Sequence, residues 1–409
     1  MEGGLDAGYN CFVATLTFDQ ARECVVSKVS ESRTPPPIEE VSLFNADRRV
    51  LAENAVADRD YPTLSRSVRD GFAVRAADLP GEFYIIGEVR AGDIFTGDVG
   101  PGEAVEIMTG APLPRGADCV VMVEHCRVIG EKVITDRTLS LGDNVNPQAS
   151  ESRAGELLLT PGRRLSFTQI ALLATIGRHH VWVYQKPHVA IVATGDEIVD
   201  VGDLPLEYQI RNSNVESLAV QTARAGAIPV VLPIARDNYA STYEIVERGL
   251  QYDMLLLSGG VSAGKYDIVE RVLADLGAEF YFDRVLVQPG QPLVFGRAQG
   301  KFVFGLPGNP ASTMVTFELF ARSAIELLAG QTETSLPLLS ARLTADFRSK
   351  PGLTRFLPGC LSSDGSTITP VRWTGSGDVP ALARSNAFLV TDPDRETWAA
   401  GDQIKVLQP

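Results

Sequence analysis

The stretch Asp253-Met254-Leu255-Leu256-Leu257-Ser258-Gly259-Gly260-Val261-Ser262-Ala263-Gly264-Lys265-Tyr266-Asp267 decides the fold class. It opens as an apolar run with no polar alternation, breaks into a glycine-rich loop, and is followed by a helical pattern over residues 268–276. A strand that is apolar on both faces must be covered on both faces, which is the mark of a parallel sheet in an α/β core. The surroundings repeat the rhythm. Residues 188–194 read as an apolar strand, 214–225 as a helix ending at Gly226, 229–234 as a strand and 239–250 as a helix. Residues 302–306 form the next strand and 312–328 the next helix.

Further out, the texture changes. Residues 17–29 predict an amphipathic helix with Thr17 as N-cap. Residues 39–51 read as helix-like or mixed. From about residue 55 to 144, short alternating runs such as Phe83-Tyr84-Ile85-Ile86 sit between Gly and Pro clusters, which predicts a β-rich segment. Residues 168–176 return to helix, with Gly177 just past its end. The tail from about residue 335 is short β segments with turns. The expected architecture is a three-layer α/β core with a mostly parallel sheet, a discontinuous N-terminal domain, a β-rich insert and a small C-terminal β domain. The expected divisions are 1–54 with 145–186, then 55–144, 187–330 and 335–409.

Composition narrows the function. The chain has 409 residues, 44% of them hydrophobic, so it can bury real cores. Its 37 Lys and Arg against 51 Asp and Glu give a net charge of −14, which argues against nucleic acid or an anionic membrane as partner. The five cysteines form no CxxC pair, so neither a disulfide framework nor a thiolate zinc site is indicated. Cys119 and Cys126, with His125 between them, read as core thiols rather than metal ligands. No basic region precedes an apolar stretch at the N-terminus, so the expected location is the cytoplasm.

Open α/β sheets bind ligands at the carboxyl ends of their strands. Three such ends carry unusual loops: Thr194-Gly195-Asp196-Glu197, the Ser258–Gly264 run quoted above, and Gly305-Leu306-Pro307-Gly308-Asn309-Pro310. Any one of them is an ordinary tight turn; three at one sheet edge mark a site. Backbone amides in the 258–264 loop can cradle a phosphate. Asn309 with Pro310 defines a helix start. The carboxylates at this edge are Asp196, Glu197, Asp237 and Asp267. A phosphate among carboxylates needs a cation between them, and Mg²⁺ prefers such oxygen ligands. Asp196 and Asp237 also fit plain helix caps. Gly259-x4-Gly264-Lys265 matches most of a P-loop, but Tyr266 stands where a short hydroxyl must meet Mg²⁺, so a P-loop is rejected. In the insert, Arg69-Asp70-Gly71 and Met108-Thr109-Gly110-Ala111-Pro112 are two turns that alone carry no chemistry.

Taken in order, these segments resemble the molybdopterin molybdenumtransferase family, MoeA and the gephyrin E domain. The matching pieces are Arg69-Asp70-Gly71-Phe72-Ala73-Val74, Met108–Pro112, Thr194–Glu197, Ser258–Ser262 with Gly264 and Asp267, Gln288-Pro289-Gly290 with Pro292, and Gly305–Pro310. The resemblance implies insertion of molybdate into adenylylated molybdopterin, with Mg²⁺, releasing AMP. It implies a homodimer whose cleft lies between the α/β domain of one copy and the insert of the other, and delivery of the product to client molybdoenzymes. It assigns catalysis to Asp70, Thr109, Glu197, Asp237 and Asp267, the last three also holding metal. It assigns substrate binding to Thr194, Gly195, Ser258, Gly259, Gly260, Ser262, Gly264, Pro307, Gly308, Asn309, Pro310 and Ser376. The chain departs from the family where Gln288 and Gln291 replace lysine. Two other readings share the motifs: adenylylation of molybdopterin, and a catalytically weakened paralogue that binds or delivers the cofactor.

Overall fold

The computed structural model describes residues 15–260 and 268–409. At its centre is a seven-stranded sheet in the order Thr15–Leu16, Glu279–Val285, Pro292–Ala298, Lys301–Leu306, Met254–Ser258, His188–Ala193, Ile228–Val231. The last four run parallel; Pro292–Ala298 is antiparallel to both of its neighbours. The sheet is therefore mostly parallel, as expected. The hairpin of Glu279–Val285 and Pro292–Ala298 extends it beyond what the α/β rhythm of the sequence showed.

Period-two alternation divides each strand between two cores. Val189, Ile191, Met254 and Leu256 face one core, shared with the helices Phe18–Ser32, Ser213–Ala225 and Arg322–Leu328. Ala190, Val192, Leu255 and Leu257 face the other, shared with Tyr239–Gly249 and Ile268–Asp275. Thr17 does cap the first helix: its hydroxyl accepts from the Gln20 amide, and Gln20 returns the bond. That helix buries Ala21, Val25 and Val29 in the α/β core. Its apolar stripe thus packs on the α/β core, although the chain continues from it into the strand pairings of the N-terminal part.

The stretch 39–51, read as helix-like or mixed, forms no α-helix. Ile38–Ser42 is a strand paired antiparallel with His180–Tyr184, followed by a 3₁₀ turn, Leu43–Ala46. The alternation of Val41 with Glu40 and Ser42 suits a half-buried strand, and its partner lies too far along the chain to read. Ala55–Val56 likewise pairs with Leu157–Leu159. These pairings bring residues before and after the insert into one small core of Ala46, Leu51, Leu165, Leu173 and Val183.

The insert is a six-stranded sheet, Cys119–Met122, Gly71–Val74, Glu103–Ile107, Gly81–Val89, Lys132–Thr135, Arg127–Ile129. Cys119 is buried in it, with Cys126 packed alongside. Burial pushes their thiols up to about 12 and about 11, so they are inert core groups. The C-terminal segment contributes five strands to a six-stranded sheet whose edge is Val287–Gln288, and in it Thr354–Leu361 also pairs with Ala387–Val390. Among the described residues, no helix is long and apolar enough to cross a membrane.

Candidate functional site

Register sets the site. Ala193 pairs with Ser258 and Ser258 with Leu306, so three strands end side by side and their loops emerge together. Backbone bonds lock the edge. Thr194 N–H donates to Ser258 O at 3.1 Å, Gly259 N–H to Leu306 O at 3.1 Å, and Gly195 N–H to Ala235 O at 3.1 Å. Between the loops lies a cavity of about 500 Å³. It is lined by Thr194, Gly195, Glu197, Asp237, Ser258, Gly259, Gly260, Pro307, Gly308, Asn309 and Pro310, all anticipated. Ser262, Gly264 and Asp267 lie outside the described residues.

The two glycines are there for space as well as conformation. Gly260 has φ +68°, and a Cβ on it would come within 2.6 Å of Val269 Cγ2 and 2.8 Å of Thr194 Oγ1. Gly259, at φ +93°, would meet Thr194 O at 3.0 Å. The backbone turn is thus pressed against Thr194, and side chains are excluded from it.

Asp196 and Asp237 are not helix caps. The helix Tyr239–Gly249 is capped by Asn238, whose side chain accepts from Ser241 N–H. Instead the two aspartates clasp each other's loops: Asp196 N–H donates to Asp237 Oδ2 and Asp237 N–H to Asp196 Oδ1, both at 3.2 Å. Asp237 and Glu197 both line the cavity. Arg236 reinforces the clasp by donating to the carbonyls of Asp196 and Ile198 at 3.4 and 3.2 Å. Asn309 and Pro310 do start the helix Pro310–Thr316, though Asn309 makes no side-chain capping bond. Ser376 does not line the cavity; its backbone carbonyl accepts from Ala311 N–H at 2.9 Å, at the start of the helix that follows Pro310.

In the insert, Asp70 and Thr109 meet although 39 residues apart. Asp70 Oδ1 accepts from both the Thr109 amide, at 2.6 Å, and its hydroxyl, at 2.8 Å. The amide first, then the hydroxyl, holds the Asp70 carboxyl below its ordinary value of 3.8. No residue of the insert lines the cavity.

Sequence models locate the same pieces. The MoeA N-terminal region (domain I and II) matches residues 16–177, a probable molybdopterin binding domain 190–343, and the MoeA C-terminal region (domain IV) 340–408. A molybdopterin molybdenumtransferase of Bacillus subtilis (strain 168) is 36% identical over 409 residues, spanning 92% of this chain and 95% of that one. This chain belongs to the MoeA family. Its counterpart in Staphylococcus aureus (strain Mu50), of the same name, is 32% identical over 396 residues, 94% of each chain. The molybdopterin biosynthesis MoeA protein of Pyrococcus horikoshii OT3 superposes with a TM-score of 0.79 at 25% identity, over 97% of this chain and 100% of that one.

This MoeA chain also has cavity residues that sequence reasoning missed. Ile210, Arg211, Asn212, Ser213 and Asn214 form one wall. Asn214 was hidden by its place at a helix start, where a polar residue reads as a cap; the cap is Asn212, accepting from Val215 N–H. Gln288 is engaged through its Oε1, which accepts from Arg355 Nε at 2.6 Å. Arg355 is buried, and burial lowers its pKa from the ordinary arginine value. Gln291, by contrast, contributes its backbone carbonyl to Val285 N–H.

Proposed function

We propose that this chain inserts molybdate into the dithiolene of adenylylated molybdopterin and releases AMP, with Mg²⁺ at the cavity of the α/β unit. The observation that carries the reading is the cavity itself: a glycine turn that admits backbone close to a phosphate, in a wall that also includes Glu197 and Asp237. The donor set fits magnesium, since its oxygens are hard and the cavity wall offers no thiolate or imidazole. Among the described residues no trio of His, Cys, Asp or Glu is gathered. Mg²⁺ needs none, because it is commonly held by one or two carboxylates with substrate phosphate and water completing the shell. Glu197 and Asp237 would hold it. When bound, the ion neutralises charge on the phosphoanhydride.

The chain's own residues do the rest. The Asp196–Asp237 clasp fixes the carboxylates before substrate enters. Pro307 and Pro310 stiffen the opposite wall. The Asp70–Thr109 turn lies outside the cavity of its own chain, so we assign it to the cleft of a second copy in a homodimer. Both Thr109 donors converge on Oδ1 of Asp70, leaving Oδ2 to face the substrate. The protein would act in the cytoplasm and pass its product to a molybdoenzyme. Incubation with adenylylated molybdopterin, Mg²⁺ and molybdate tests the reading: AMP release and active cofactor should depend on all three. Absence of AMP release with all three present overturns it.

A further inference from the structure

Asn214 stands where two loops of the cavity meet. Its Nδ2 lies 2.9 Å from Ser258 Oγ and 2.8 Å from Gly308 O. A carbonyl oxygen can only accept, so the side-chain nitrogen must face Gly308, and both of its protons are then committed. Ser258 Oγ is consequently an acceptor toward Asn214. Its own proton is left to point elsewhere, and among the described residues it finds no acceptor. Ser258 is 3% exposed and lines the cavity. Two further buried oxygens in the same wall, Thr194 Oγ1 and Asn214 Oδ1, have no partner among the described residues. Thr194 is 7% exposed. Atoms left without a partner among the described residues favour a group that meets them, since leaving such atoms unpaired is costly.

We propose that Asn214 is a positioning residue: by donating to Ser258 Oγ it fixes that hydroxyl as a donor to the phosphate of a nucleotide-bearing substrate. The inference rests on the function proposed above and adds a residue that selects for an anion. An aspartate at the same place would reverse the polarity. Its carboxylate would take the Ser258 proton, turn the hydroxyl away from the ligand and oppose Gly308 O.

AMP is the probe, titrated by calorimetry against the full chain with Mg²⁺. Ser258→Ala should weaken AMP binding about tenfold, the loss of one hydrogen bond to a charged group. Asn214→Ala should weaken it about fivefold, and adding Ser258→Ala to it should then cost less than about threefold, because the two residues act as one unit. Asn214→Asp should weaken it by more than about thirtyfold, for the added repulsion. In turnover, Asn214→Ala should raise KM with kcat changed by less than about threefold, whereas a merely structural loosening of the loops would lower kcat as well. Should Asn214→Asp fail to fold, the Ala variants still decide. Full additivity of Asn214→Ala and Ser258→Ala, or a fall in kcat without a rise in KM, overturns the inference while leaving the proposed function standing. A wild type that does not bind AMP overturns both.

Discussion

The Asp70–Thr109 turn and the α/β cavity are both polar sites on sheet edges, yet they are finished to different degrees. In the insert, one carboxylate oxygen already has two short partners, and the pair sits exposed. In the cavity, Thr194 Oγ1 and Asn214 Oδ1 are buried without partners among the described residues. A satisfied, exposed pair is a part that can be presented to something else. An unsatisfied, recessed one is a receptacle. The contrast is what the proposed division of labour requires, with the cavity receiving the substrate and the insert turn brought to it by another copy.

The largest expected effect lies in the cavity. Gly260→Ala forces a Cβ to 2.6 Å from Val269 Cγ2 at a φ of +68°. Strain of this kind costs about 1–3 kcal/mol locally. Since the loop can escape it only by moving, AMP release should fall by more than about a hundredfold. Far-ultraviolet circular dichroism should remain native. Activity within a few-fold of wild type would mean that the turn need not hold its position, and the receptacle half of the comparison would break.

The next effect joins the two regions. Asp70→Ala and Asp237→Ala should each remove most activity. Mixed after unfolding and refolding together, equal amounts should recover about a quarter of wild-type activity, because half of the dimers then carry one intact cleft of two. No recovery, with mixed dimers shown to form by co-purification of differently tagged copies, would place both residues in a cleft made by one chain.

The sequence made the cavity more legible than its walls. Met254–Leu257 and Val189–Ala193 are apolar at every position because both faces are buried, and that pattern survives in one dimension. The three loops follow from those strand ends. Asn214 does not, since its importance comes from Ser258 and Gly308, 44 and 94 residues away. Ile38–Ser42 was missed for the same reason: its partner strand is His180–Tyr184, across the whole insert. The Asp196–Asp237 clasp looked like two caps because both residues precede helix-like or turn patterns, and a reciprocal bond between loops leaves no periodicity. Thr109 could be named only through a motif, as nothing local ties it to Asp70.

A smaller effect belongs to the seam between the α/β unit and the C-terminal sheet. Val287–Gln288 pairs in parallel with Thr354 and Arg355, and the Gln288 side chain takes the Arg355 Nε proton. Restoring lysine at 288 would remove an acceptor from a buried guanidinium and set a second cation against it. Gln288→Lys should therefore destabilise the chain by about 1–3 kcal/mol, seen as a lower urea midpoint. Gln288→Glu should not, because a carboxylate accepts the same proton. Lysine at 291, whose side chain carries no such bond among the described residues, should leave the midpoint unchanged. The same shift for lysine at either position would show that Gln288 is no more tied than Gln291.

The smallest expected effect tests whether the insert turn is as self-sufficient as it looks. Thr109→Val keeps the amide that donates to Asp70 Oδ1 and deletes the hydroxyl, the second of the two groups that depress the Asp70 pKa. The Asp70 titration, followed by carbon-13 NMR of its carboxyl, should move up toward the ordinary 3.8 without reaching it, because the amide is the larger cause. The sign follows from the depressed value. Asp70 favours the folded turn most fully above the ordinary carboxyl pKa, and that contribution fades as pH falls through its own lower pKa. At neutral pH Asp70 stays ionised in both proteins, so its charge cannot explain any change in turnover there. What valine removes is orientation: one anchor holds Oδ1 where two did, and Oδ2 gains freedom to swing. A fall in kcat of a few-fold at pH 7, with the titration shifted, would tie the hydroxyl to aiming Asp70 at its target. A shifted titration with unchanged kcat would mean that the amide alone aims the carboxylate. An unshifted titration would remove the hydroxyl from the pair altogether, and with it the claim that this turn is finished before it meets a partner.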